Sequence, residues 1–194
     1  MRASVRELFE TVILALFIFA VLQISVQNYR VEGPSMLPNL VDGEHVLVNK
    51  MAYAKFGPSE LISKLPFANR LDQNVVYPFH PPRRGDVIIF HFPRNEVHDF
   101  VKRVIGLSGD TIQIEDGQVI VNGIPLAEPY ITQHDQTNMH PVRIPEGHFF
   151  VLGDNRRASN DSRNWGLVPK DNIVGKAWVA YWPLSNWRTL NLEF

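Results

Sequence analysis

Thr111-Ile-Gln-Ile-Glu-Asp-Gly-Gln-Val-Ile-Val121 carries two short runs of alternating apolar and polar residues on either side of Glu115-Asp116-Gly117. An Asp-Gly pair tolerates the positive φ angles of a tight reversal, so the stretch reads as an antiparallel hairpin. The same period of two recurs outward in both directions. It appears in Glu44-His-Val-Leu-Val-Asn-Lys50, Asp86-Val-Ile-Ile-Phe-His-Phe92 and Phe100-Val-Lys-Arg-Val-Ile105. It returns in His148-Phe-Phe-Val-Leu152 and Ile173-Val-Gly-Lys-Ala-Trp-Val-Ala-Tyr-Trp182. Period two is the strand repeat, and the pattern predicts a mostly β fold of antiparallel sheets, sandwich- or barrel-like. Two stretches break it. Residues 51–82 read as an excursion within the domain, with a hint of short helix at 59–65, and residues 128–145 read as a long surface connection.

Composition narrows the chemistry. The 194 residues suit one globular domain with a real core. A net charge of −1 and the lack of any basic run argue against a nucleic-acid surface. There is no cysteine, which removes disulfides, thiol nucleophiles and thiolate metal sites. The seven histidines are scattered, and neither HExxH, a Walker loop nor GxGxxG occurs. Neither a metal nor a cofactor is expected.

Before the β pattern lies Thr11-Val-Ile-Leu-Ala-Leu-Phe-Ile-Phe-Ala-Val-Leu22, extended past Gln23 by Ile24 and Val26. A buried helix, a cleaved signal sequence and an uncleaved membrane anchor all begin this way. Apolar residues on every face disfavour the first, and a poor cleavage site disfavours the second. The anchor is the preferred reading. Arg2 and Arg6 precede the segment and Arg30 follows it, which orients the N-terminus toward the cytoplasm. The division expected is a cytoplasmic tip and transmembrane helix over 1–28, then a β-rich catalytic domain over 29–194 on the far side.

Just past the anchor comes Gly33-Pro-Ser-Met-Leu-Pro38, a stiff turn carrying one hydroxyl. A serine needs a base. A histidine base remains open on counting alone, yet nothing in the sequence brings one to Ser35. Lys102 is the other candidate. It lies on a predicted strand where Lys102 and Arg103 face opposite sides, so one of them points into a core or cleft. An ordinary lysine titrates at about 10.4, and working near pH 8 asks burial or a neighbouring cation to supply roughly 3 kcal/mol. The third polar segment is Gly153-Asp-Asn-Arg-Arg-Ala-Ser-Asn-Asp-Ser-Arg-Asn-Trp-Gly166. Its Asp, Asn, Arg and Ser can build side-chain-to-backbone bonds and Arg–carboxylate pairs, the chemistry of a rigid loop.

Together with Arg84-Gly-Asp-Val-Ile-Ile-Phe90 and Lys102-Arg-Val-Ile-Gly106, these segments resemble type I signal peptidases, the bacterial leader peptidase family of membrane-bound Ser/Lys proteases. The single anchor is similar to the Gram-positive and cyanobacterial forms. The resemblance implies Ser35 as nucleophile and Lys102 as general base, with Ser159 hydrogen-bonded to the lysine. It implies supporting roles for Asp161 and Arg163, and lesser ones for Asp154, Arg103 and Met36. Some members carry a serine two residues before the nucleophile to help bind the oxyanion. Here that position is Gly33, which leaves the Ser35 backbone N–H. The implied partners are preprotein signal peptides, cut after small residues at Ala-x-Ala sites, with the lipid bilayer and the export machinery nearby. The implied location is the plasma or thylakoid membrane. Trp182, Trp187 and Phe194 are candidates for either lipid contact or core.

Overall fold

A computed structural model describes residues 2–53, 81–133 and 135–190. The predicted helix at 59–65, His80, His134 and Phe194 lie outside the described residues. Helix α1 (Arg2–Ser25) comes first, and every large apolar side chain described on it from Leu8 to Ile24 is exposed. Its apolar stretch Arg6–Ser25 has a mean hydropathy of 2.3 and none of it is buried. Twenty residues rise about 30 Å, the thickness of a bilayer's hydrocarbon core.

The helix passes straight into strand β1 (Val26–Arg30), so Val26, read as the tail of the apolar segment, belongs to a sheet. The main chain is stapled there: Lys50 N donates to Ser25 O at 2.9 Å, and Ser25 Oγ lies 2.9 Å from Met51 Sδ. After β1 come β2 (His45–Asn49), β3 (Val87–His91), β4 (Asp99–Gly106), β5 (Thr111–Glu115), β6 (Gln118–Val121) and β7 (Ile124–Pro125). Then follow β8 (Met139–Arg143), β9 (His148–Leu152), β10 (Val168–Pro169), β11 (Ile173–Trp182) and β12 (Arg188–Thr189).

All pairings are antiparallel. The larger sheet runs β1-β2-β11-β3-β4-β9-β10, with β12 beside β11, and the smaller runs β7-β6-β5-β8. The β5–β6 hairpin turns at Asp116 (φ 46°) and Gly117 (φ 80°), where the sequence predicts it. A Cβ at Gly117 would also meet the Asp135 carbonyl at 2.1 Å. Five of the strands were not read from sequence: β1 at the end of the apolar segment, β8 within the supposed surface connection, and the two-residue β7, β10 and β12.

Three apolar clusters fill the interior. One gathers Val46, Val48, Val87, Ile89, Ala177 and Ala180 on one face of the large sheet, with Met36 and Leu40 inserted from the turn after β1. A second, around Ile88, Phe90, Val104, Val151 and Trp165, covers the other face. The third, with Ile105, Ile112, Ile114, Phe150 and Leu152, joins the two sheets. Trp182 and Trp187 are exposed, as is Trp178, so the core alternative does not hold for the two named from sequence.

Candidate active site

The turn carrying Ser35 is built on Gly33, whose φ of 82° only glycine adopts readily. Asp42 accepts the Gly33 N–H at 2.8 Å, and Leu40 N donates to Met36 O at 2.8 Å. Met36 is 1% exposed and anchors the turn in the core. Its neighbour Ser35 is thereby left at the wall of a cleft of about 550 Å³, shared with Tyr29, Val31, Ile89, Val101 and Lys102.

Lys102 stands on β4, opposite Ile88 of β3. Its Nζ lies 2.8 Å from Ser35 Oγ and donates to the Val101 carbonyl at 2.8 Å. Phe100 approaches from the same strand, its ring centroid 5.4 Å from Nζ. The lysine is 4% exposed. Burial pushes it down to about 8 from the ordinary 10.5, against the opposing pull of Asp161 and Asp154. Among the described residues no histidine bonds the Ser35 hydroxyl.

Alternation predicted that one of Lys102 and Arg103 would face inward. Both do, because the large sheet is covered on both faces. Arg103 is 1% exposed and forks onto Asp154, Nε at 2.8 Å and Nη2 at 2.6 Å, while Nη1 donates to Gly85 O. Its guanidinium stacks 4.3 Å from the Tyr130 ring centroid. Asn39 Nδ2 completes the group, donating to Asp154 Oδ2 at 2.9 Å. The turn that bears Ser35 is thus tied to the loop after β9.

That loop is dense with internal bonds. Asp161 is fully buried; it takes Gly153 N at 3.1 Å and Arg163 Nε and Nη2 at 2.8 Å each. It also caps the helical turn Ser162–Trp165 by accepting from Arg163 N. Arg163 bonds Asp135 and donates to Arg156 O; Arg156 in turn pairs with Glu128 and donates to Gly153 O. Ser162 Oγ accepts from Val151 N at 2.9 Å, which fastens the loop to β9. Gly153 is wedged between the two serines of interest. A Cβ there would lie 2.2 Å from Ser159 Oγ and 2.5 Å from Ser35 O.

Ser159 packs against Gly153, which also abuts the Ser35 carbonyl, yet the hydrogen bond to Lys102 that the resemblance implies does not form. The Ser159 hydroxyl is enclosed and has no partner among the described residues, while the lysine is directed at Ser35 and the Val101 carbonyl. Val101 O, Asn39 and Asn155 were not identified from sequence. A main-chain carbonyl leaves no mark in residue identity, and isolated asparagines have the look of turn residues.

The model of the family described as signal peptidase, peptidase S26, matches residues 5–182. The chain belongs to that family. It is a serine endopeptidase by membership, and its relatives agree in extent. A probable signal peptidase I-1 of Synechocystis is 36% identical over 194 residues, covering 96% of this chain and 87% of that one. A signal peptidase I of Leptolyngbya laminosa is 44% identical over 147 residues, with 70% and 71% covered. Signal peptidase IB of Staphylococcus aureus is 34% identical, with 94% of each chain covered. A crystal structure of a signal peptidase I from Enterococcus faecalis V583 aligns with a TM-score of 0.45 at 34% identity, over 50% of this chain and 97% of that one. The exposed apolar helix α1 fits a membrane-anchored member of the family.

Proposed function

We propose that the chain removes signal peptides from exported preproteins with a Ser35/Lys102 dyad, cutting after small residues at Ala-x-Ala sites. The observation that carries this reading is the 2.8 Å contact between Lys102 Nζ and Ser35 Oγ inside an apolar surround. Neutral Lys102 donates one N–H to the Val101 carbonyl, which turns its lone pair toward the serine. It takes the hydroxyl proton as Ser35 Oγ bonds the scissile carbonyl carbon. The tetrahedral oxyanion rests on the Ser35 backbone N–H, since Gly33 offers no hydroxyl. The carbonyl re-forms, the C–N bond breaks, and the Lys102 ammonium gives its proton to the departing amine. A water then delivers a proton to Lys102 and its oxygen to the ester; collapse returns the proton to Ser35 and releases the acid.

Beside the dyad, Val101 and Val31 line the cleft that receives the small side chains, and an extended peptide pairs with the edge strand β1, whose Tyr29 and Arg30 stand at its wall. In this reading α1 crosses the plasma or thylakoid membrane once, N-terminus in the cytoplasm, and residues 29–194 act on the far side near the export machinery. Asp161, Arg163, Asp154 and Arg103 hold the dyad's surroundings through their hydrogen bonds, Ser159 packs against Gly153 beside them, and no metal or cofactor takes part. Ser35→Ala and Lys102→Ala are each expected to lower kcat for a preprotein by about 10³-fold or more in detergent. A variant that cleaves at the parental rate sinks the dyad.

A further inference from the structure

Asn155 holds both carbonyls that flank the nucleophile's N–H. Its backbone N–H donates to Ser35 O at 3.0 Å, and its side-chain Nδ2 donates at 3.1 Å to Pro34 O, which also accepts from Leu37 N at 3.2 Å. The side chain is free to do this. Asn155 precedes the short 3₁₀ turn Arg156–Ala158, where an asparagine would ordinarily cap with its own oxygen, and it makes no such cap. Its rotamer is spent on the other segment, 121 residues away in sequence.

The peptide unit between Pro34 and Ser35 is planar, with its C=O and N–H pointing in opposite directions. Fixing the Pro34 oxygen therefore fixes where the Ser35 N–H points. Fixing the Ser35 oxygen as well removes rotation on the other side of the same residue. Between these two bonds the Ser35 N–H has no acceptor among the described residues. A donor held in direction yet unengaged is what an oxyanion requires, because preorganisation removes the cost of turning a dipole during the reaction.

We infer that Asn155 is a positioning residue for the oxyanion site, a two-point clasp that aims the Ser35 N–H. Gly33 makes the clasp matter more here. With a glycine two residues before the nucleophile, no side-chain hydroxyl shares the load, and the direction of one backbone N–H carries the stabilisation. The residue acts without touching the base, since Lys102 has its own partners in Ser35 Oγ and Val101 O. This inference rests on the dyad reading above.

The test is Asn155→Ala in the full-length protein, with an Ala-x-Ala peptide as substrate. Alanine removes the side-chain donor, leaves the backbone one on Ser35 O, and adds no charge near Lys102. Expected are a kcat lowered about tenfold or more, a KM within about twofold, and an unmoved midpoint of the pH–rate profile. Asn155→Leu keeps the side-chain volume and denies water the same place; it carries the test should the alanine variant fail to fold, with an equal or larger loss expected. A kcat at the parental level, a loss confined to KM, or a displaced pH midpoint overturns the clasp. Ser35→Ala made alongside separates the two levels. An active Ser35→Ala protein refutes the dyad itself, whereas an inactive one beside unimpaired Asn155 variants refutes the clasp alone.

Discussion

At Lys102, burial works directly against charge. Its folded value of about 8 lies below the ordinary 10.5, with burial as the cause. The charged form is thus disfavoured by about 3 kcal/mol in the native state, a cost fully present below pH 8 and relieved as the pH rises toward 10.5. Two outcomes are expected. The kcat/KM for peptide cleavage should climb with a midpoint near pH 8, measured over pH 6–10. Lys102→Met, which keeps the length without charge, should raise Tm at pH 7 while abolishing cleavage; a lower Tm would contradict the sign. Gly153→Ala should cost more activity than its size suggests, since the added methyl must displace either Ser159 or the Ser35 carbonyl. A Gly153→Ala protein with parental kcat would mean the wedge is slack. At this scale the sequence was legible where residue type marks a candidate pair, as at Ser35 and Lys102, whose side chains the fold brings to 2.8 Å. It was silent where main-chain atoms carry the contact, as at Val101 O.

Among the elements, the loop 153–166 is densely tied by polar contacts. The side chain of Asp161 has no exposed surface and that of Arg163 is 8% exposed, so removing the carboxylate leaves a buried guanidinium short of a partner. Asp161→Ala should destabilise the protein by about 3 kcal/mol or more, read as a fall in the urea midpoint. A change below ~1 kcal/mol would mean that water replaces the carboxylate. The strands sort by the same logic of burial. Where one face is covered, alternation fixes the sequence, and β2, β5 and β6 read cleanly. Of the five strands that escaped detection, the two longest are both edges, β1 of the large sheet and β8 of the small one. Their burial patterns are mostly exposed, so nothing compels apolar residues at every second position. Pro141 within β8 suits an edge and disguises a strand.

For the whole molecule, helix and sheet are separable in chemistry but continuous in chain. Deleting residues 2–25 leaves β1 paired with β2 along Val26–Arg30, and peptide hydrolysis in solution should stay within a few-fold of the full chain. Cleavage of a preprotein presented in vesicles should fall much further with the same protein. Deleting residues 2–30 strips the edge strand together with Tyr29 and Arg30 of the cleft wall, and should abolish hydrolysis of both substrates. If the two truncations behave alike toward the peptide, β1 has no part in forming the cleft.

The passage from Ser25 to Val26 without an intervening loop has a further consequence. A tethered enzyme on a supple linker would sweep a range of heights above the membrane and could cut wherever it touched. Here the hydrogen-bonded ladder begins where the helix stops, and Lys50 locks the junction. In the proposed reading, with α1 in the bilayer, the serine is therefore carried at one altitude, like a blade set in a plane. On that reading, depth in the bilayer, as well as side-chain size, is a coordinate by which a scissile bond is selected.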